Sequence, residues 1–273
     1  MKKYLDILDH VYKEGDDRMD RTGVGTRAFF GVQTRYDMND GFPAVTTKKL
    51  FFNMIRAELL WFIRGSRDIK ELHKEKCHIW DGNVNAPHWK KKAEFEGDAG
   101  RIYGVQWRDW RRPDGGRVDQ LREVIEGIKK DPYGRRHIVT AWNPGELDRM
   151  ALPPCHIFFQ FFVSKEGLSL QMYQRSCDLF LGVPFNIASY SLLLHMVAQV
   201  VGLRPKEFIH VLGDAHIYKN HFKQVEKQLK REPLPLPTLK LNEKIKDIDR
   251  FRAEDIKLEG YKHHPPLKAE MAV

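Results

Sequence analysis

A thiol and an imidazole stand side by side at Cys155-His156, directly after Pro153-Pro154 and before the apolar run Ile157-Phe158-Phe159-Gln160-Phe161-Phe162-Val163. The prolines remove two backbone donors and restrict φ, so the chain arrives at Cys155 stiff. A cysteine at the mouth of a buried strand is a candidate nucleophile, held in place without complete burial of its thiolate. The residue types also admit a small apolar side chain at the head of a core strand, because cysteine outside disulfides is among the most buried residue types.

Other side chains offer proton transfer and anion binding. Glu58 stands among Ala57, Leu59, Leu60 and Trp61. It is either on the wet face of a helix or a partly desolvated acid suited to moving protons. Arg135-Arg136 can meet one anion only at a turn or loop tip, and otherwise forms a solvated pair. Asp20-Arg21-Thr22-Gly23-Val24-Gly25 is a glycine-rich turn with a guanidinium that could hold a phosphate, although it lacks the lysine of a P-loop. Tyr103, Trp107 and Trp110 lie among arginines, a mixture that stacks on bases or forms core edged by solvated arginine. Asn186 suits a helix N-cap.

These groups must be carried by regular elements. Apolar spacing predicts a surface helix over residues 1 to 14 ending at Gly15, a largely buried helix from Phe51 to Ile63 with Gly65 at its end, and an amphipathic helix from Gln120 to Lys130 stopped by Asp131-Pro132. A second buried helix runs from Ile187 to Val201 before Gly202, and a further one carries Phe222, Val225 and Leu229. Strands are expected at Ala28 to Tyr36, Ile138 to Trp142, Leu168 to Tyr173 after the turn Ser164-Lys165-Glu166-Gly167, Glu207 to Leu212, and near Ile256-Lys257-Leu258. Gly213 to Tyr218 reads as a turn out of its strand, residues 81 to 100 as a long surface excursion, and Pro233, Pro235 and Pro237 as an extended linker. No internal repeat or domain boundary is visible, so residues 1 to 273 read as one domain.

The 273 residues, 42% hydrophobic, can build a sizeable core, and a net charge of +9 admits polyanionic partners. Three cysteines at irregular spacing argue against a disulfide framework and a structural zinc site, and fit a reducing compartment. No signal-like segment and no stretch long enough to span a bilayer is expected, which suggests a cytoplasmic protein without a membrane partner.

Taken together, Asp20-Arg21-Thr22-Gly23, Glu58-Leu59-Leu60-Trp61, Ile79-Trp80-Asp81, Tyr103 to Arg108, Arg135-Arg136-His137, Leu152-Pro153-Pro154-Cys155-His156, Gln174-Arg175-Ser176-Cys177-Asp178, Pro184-Phe185-Asn186 and Gly213 to Tyr218 closely resemble, in order and spacing, the folate-dependent thymidylate synthase family. The resemblance implies an α/β fold with a large mixed twisted sheet flanked by helices, two copies packing sheet against sheet as a homodimer. It implies reductive methylation of dUMP to dTMP, with 5,10-methylenetetrahydrofolate giving dihydrofolate and no metal required.

The same resemblance implies roles. Cys155 would add to C6 of uracil, with Arg175 favouring the thiolate. Asn186 would bind the ring through both donor and acceptor, where aspartate would favour cytosine. Glu58 with water would move protons at O4 and at the folate nitrogen, Tyr103 would assist loss of the C5 proton, and His156 and Gln174 would order water and nucleotide. Arg21, Arg175 and Ser176 would hold the phosphate together with Arg135 and Arg136 of the other subunit, while His216 and Tyr218 bind the ribose. Cys177, Asp178 and Ile217 would also lie along dUMP. On the folate side the resemblance places Lys48, Ile79, Trp80, Leu152, Asp178, Gly182, Phe185 and Tyr261, with Ala272 and Val273 closing over the complex. Two alternatives remain: a dUMP or dCMP hydroxymethylase of the same fold, in which water replaces hydride, and a basic RNA-binding protein, suggested by the charge and the aromatic-arginine stretch.

Overall fold

The computed structural model describes residues 1–20 and 23–270; Arg21, Ala272 and Val273 lie outside the described residues. In chain order the helices are α1 Lys2–Glu14, α2 Phe52–Ile63, α3 Lys70–Lys74, α4 Asp81–Val84, α5 Pro87–Lys90, α6 Tyr103–Arg108, α7 Gln120–Lys130, α8 Gly182–Val201 and α9 Phe222–Leu229. The strands are β1 Asp16–Arg18, β2 Thr26–Asp37, β3 Trp110–Arg111, β4 Arg117–Val118, β5 Ile138–Thr140, β6 His156–Ser164, β7 Gly167–Asp178, β8 Pro205–Tyr218, β9 Thr238–Leu241 and β10 Ile256–Glu259.

Six strands form the large sheet in the order β1-β2-β8-β7-β6-β5. It is mixed: β7 and β8 run parallel, and the other neighbours are antiparallel. A parallel pair needs a crossover, and α8 supplies it. The β6–β7 hairpin closes where Ser164 pairs with Gly167. The register of β6 shifts between His156 and Phe158, so a bulge sits one residue beyond Cys155 and re-aims the chain there.

Residues alternate along β6 and β7. Phe159, Phe161, Leu170 and Met172 face the core, all at most 1% exposed. The opposite face carries Ile138 and Phe162, which are 43% and 64% exposed, together with the stacked Phe158–Tyr173 pair.

Several elements differ from their sequence reading. Helix α8 begins at Gly182, five residues before the expected start, because Pro184 lies in the first turn, where a backbone N–H has no helical acceptor in any case. Asn186 is therefore inside the helix and is not its cap. Helix α8 is also long and apolar enough to cross a bilayer by length and composition, contrary to expectation, but 78% of that window is buried within the protein. Strand β8 does not turn at Gly213: it continues to Tyr218, because β2 pairs with it as far as Thr26↔Tyr218. Strand β5 stops at Thr140. The 81–100 segment is more than a surface excursion, since it forms α4 and α5 and buries Trp89, whose Nε1–H donates to Asp98 O at 2.6 Å.

The aromatic-arginine stretch is core in part. Tyr103 and Trp107 are buried, while Arg101 pairs with Glu146 and Asp109, and Arg108 with Asp119 and Asp249. Trp110, the third ring of the stretch, is partly exposed.

Candidate active site

Cys155 lies at the entrance to β6 and lines a cleft of about 590 Å³. Two neighbours fix its backbone. Its N–H donates to the Tyr103 hydroxyl at 2.8 Å, and its carbonyl accepts from Arg175 N at 2.8 Å. The Arg175 side chain holds the approach: Nε donates to Pro154 O at 2.8 Å and an Nη to Pro153 O at 2.9 Å. The prolines cannot donate, but their carbonyls accept, so the arginine forks onto the stiff segment that leads into Cys155. Its guanidinium also lies 5.4 Å above the Trp142 ring.

Helix α6 brings Tyr103 and helix α2 brings Glu58, and these two helices touch at Gly104. A Cβ on Gly104 would stand 2.4 Å from Phe62 O and 2.5 Å from its Cα, so only glycine permits the approach. Tyr103 stacks on His156 with ring centroids 4.1 Å apart, and His156 Nδ1 meets the Tyr190 hydroxyl at 2.7 Å. Burial, reinforced by the nearby His210, pushes the His156 pKa down to about 3, so this imidazole is neutral and orients groups without carrying charge. Burial likewise pushes Tyr103 well above the usual phenol range.

Glu58 is not on a wet face. Desolvation raises its pKa to about 7 against the opposing hydrogen bond from Trp80 Nε1, which donates to Oε1 at 2.8 Å. Such a carboxyl exchanges a proton near neutrality. Trp80 is itself held among Trp61, Phe62 and Tyr103.

Asn186 receives an orienting contact. Gln174 Nε2 donates to Asn186 Oδ1 at 3.0 Å, and His210 Nε2 meets Gln174 Oε1 at 2.8 Å. Gln174 and His210 are both buried. The second chain segment of the cleft is the end of β8. There Asp214 Oδ1 meets His216 Nδ1 at 3.0 Å. Burial opposes the charge on His216, but this carboxylate and Asp178 raise its pKa overall.

Arg175, Ser176, His216 and Tyr218 line the cleft with Cys155, and Leu152 forms part of its wall. Arg18, Asn83, Ala86 and His88 line it as well without a role in the sequence reading, as does Asp214, which lies within the Gly213 to Tyr218 motif but is given no role there. Asp214 could have been given one, lying two residues before His216 on the same strand end. His88 and Asn83 carried no comparable signal, because α4 and α5 read as surface.

The remaining sequence candidates are more varied. Cys177 and Ile217 are fully buried, and Cys177 Sγ donates to Gln174 O at 3.1 Å. Their side chains therefore face the core, and only their backbones could meet a ligand. Asp178 uses Oδ1 to accept from Phe180 N at 2.9 Å and Leu181 N at 3.1 Å, closing the turn into α8, so its other oxygen is the one for a ligand.

Lys48, placed on the folate side by the resemblance, points inward. It is buried, its ammonium donates to Phe180 O and lies 3.6 Å over that ring, and burial lowers its pKa to about 7 against the nearby Asp178. Tyr261 uses its hydroxyl on backbone, donating to Val45 O at 2.6 Å and accepting from Leu50 N at 2.8 Å. It braces the 45–50 segment.

Gly182 and Phe185 lie in the first turns of α8 and, like Ile79, are partly buried. Arg135 and Arg136 are exposed. Among the described residues they do not line the cleft of their own chain, and Arg136 lines a second cleft of about 610 Å³ on the far side of β5 from β6, beside α7. Arg21, Ala272 and Val273 lie outside the described residues.

The sequence model of one family, described as thymidylate synthase, matches residues 2–273.

Proposed function

The chain belongs to the thymidylate synthase family, and on that premise we propose that it converts dUMP to dTMP with 5,10-methylenetetrahydrofolate as second substrate. One observation carries the reading: Cys155 is anchored on both sides of its peptide at the wall of a cleft that also holds Arg175, Ser176, His216 and Tyr218. A thiol, cations and hydroxyls converge there as a phosphorylated pyrimidine nucleotide requires.

Cys155 Sγ adds to C6 of uracil, and the electron pair displaced from the C5–C6 bond moves onto O4. The guanidinium of Arg175 favours the thiolate that begins this step. When bound, the folate supplies the one-carbon unit and then a hydride. The residues present fit it, with Leu152 at the cleft, Ile79 and Phe185 half-buried apolar side chains, and one carboxylate oxygen of Asp178 to accept from a heterocycle N–H.

Asn186 reads the pyrimidine: Gln174 donates to Oδ1, which fixes the amide so that its N–H₂ serves the O4 side and the second lone pair of Oδ1 serves N3–H. Glu58, poised near neutrality, gives and takes the proton at O4. Tyr103 accepts from the Cys155 N–H, which turns its own hydroxyl proton away from that peptide, and together with water that passes the proton on to solvent it assists loss of the C5 proton. His216, held by Asp214, binds the ribose hydroxyl with Tyr218.

Dimerisation is part of the proposal. The exposed sheet face bearing Ile138 and Phe162 is apolar enough to seek a partner, and Arg135 and Arg136 stand beside Ile138, where they would reach the phosphate in the partner's cleft. The test is product analysis of purified protein with both substrates. Equal amounts of dTMP and dihydrofolate are expected, whereas hydroxymethylated nucleotide with tetrahydrofolate contradicts the proposal.

A further inference from the structure

We propose that His73, His78 and Asp81 form a site for one borderline divalent transition-metal ion of the zinc, cobalt and nickel class, outside the catalytic cleft. His73 Nε2 lies 2.7 Å from Asp81 Oδ1, and His78 Nδ1 lies 3.0 Å from Asp81 Oδ2. The two imidazoles stack with centroids 4.5 Å apart. One donor atom from each residue falls within 4.8 Å of the others.

Ligand atoms bound tetrahedrally at about 2 Å from one zinc stand about 3.3 Å apart. The histidine–carboxylate gaps, 2.7 and 3.0 Å to opposite oxygens of Asp81, are somewhat shorter than that spacing, and all three donors reach it by small rotations of side chains that are partly exposed, 36% for His73 and 60% for His78. Imidazole nitrogens with one carboxylate suit the borderline metals and are a poor match for magnesium or calcium, which take oxygen.

The chain builds this cluster before any ion arrives. Helix α3 ends in a Schellman motif: Cys77 N donates to Leu72 O at 3.0 Å and Lys76 N to His73 O at 2.9 Å. Lys76 takes the left-handed conformation at φ 56°, the one non-glycine among the described residues to do so. Buried Leu72 and Cys77 pin both ends of the turn. The reversal lays His78 over His73, and α4 then begins at Asp81 between them.

Each histidine now directs an N–H at the carboxylate. To bind a metal, each must present that nitrogen's lone pair and carry its proton on the other ring nitrogen, which for a neutral ring is a change of tautomer with no net proton released. Water fills the remaining coordination.

The test titrates Co²⁺ into the full-length chain and into Cys155→Ser, which removes the thiol of the cleft as a competing ligand. One cobalt per chain is expected in both, with visible bands of a nitrogen-oxygen site and no thiolate charge-transfer band. His73→Gln and His78→Gln should each weaken binding by at least about tenfold, since even outer-shell partners of ligands cost 10–100-fold, while His263→Gln leaves it unchanged and circular dichroism confirms that every variant is folded. Absence of saturable uptake, or uptake unaltered in the double His73→Gln, His78→Gln variant, overturns the site.

Discussion

Replacing Glu58 by glutamine tests whether the acid is held against its own ionisation. The folded-state pKa of about 7 lies above the ordinary value of 4.5 because the carboxyl is desolvated. The folded protein therefore holds this proton over a pH range in which the unfolded chain has released it. A group with a raised carboxyl pKa costs stability progressively as pH rises from the unfolded value through the folded one.

With 1.36 kcal/mol per pKa unit, stability referable to Glu58 should fall by about 2.5 kcal/mol between pH 5 and pH 8.5. The Glu58→Gln side chain keeps the carbonyl that accepts from Trp80 Nε1 and cannot titrate, so the variant should gain on the parent by that amount across the window. Urea unfolding of both proteins at one fixed concentration, followed at several pH values, reads the difference directly. A gap between the two that stays constant within about 0.5 kcal/mol from pH 5 to pH 8.5 refutes the desolvation argument. The same variant should lose most of its turnover at every pH, because an amide cannot exchange the proton at O4.

Three further outcomes follow from the geometry. Arg175→Lys cannot fork onto the carbonyls of Pro153 and Pro154, and losing hydrogen bonds from a charged donor at about 1.5–3 kcal/mol should lower kcat/KM for dUMP at least about tenfold in steady-state kinetics. Gly104→Ala drives a methyl into the Phe62 backbone, so denaturant unfolding should show a loss of about 1–3 kcal/mol, and turnover should fall as α2 and α6 separate Glu58 from Tyr103. Arg135→Ala and Cys155→Ala chains, each nearly inactive alone, should regain activity at one of the two sites when mixed into heterodimers; no recovery in confirmed heterodimers refutes phosphate binding across the interface.

Much of the fold is legible where one physical signal dominates. Helices α1, α7 and α9 have apolar stripes at helical spacing, and β6, an apolar run, and β7, an alternating strand, are joined by a short turn. The signal fails where tertiary pairing overrides local chemistry. Gly182 and Pro184 read as loop, yet both are tolerated in a first helical turn buried beneath the sheet. Gly213 reads as a break in β8, yet a Cβ there would meet Tyr173 Oη at 2.9 Å, so the glycine marks close packing of β8 on β7.

At the site, the stiff Pro153-Pro154-Cys155 segment is visible in the sequence. Its clamp is not, because Arg175 reaches back 22 residues to Pro153. The environment of Glu58 was also illegible from its neighbours: its desolvation depends on Trp80 and the aromatic rings around it, brought together by α2, α4 and α6. Nothing in the sequence around Lys48 marks its burial, which comes from the packing of its segment against Phe180.

The central claim is that Cys155 bonds to C6 of the pyrimidine. Fluorine at C5 cannot leave as a cation, so 5-fluoro-dUMP together with methylenetetrahydrofolate should stall the reaction after the carbon transfer, and mass analysis of the digested protein locates the bond. One nucleotide-folate adduct per occupied site is expected, on the peptide containing Cys155 and absent from Cys155→Ser. An adduct on Cys77 or Cys177, or none in a protein that still turns over dUMP, would contradict it.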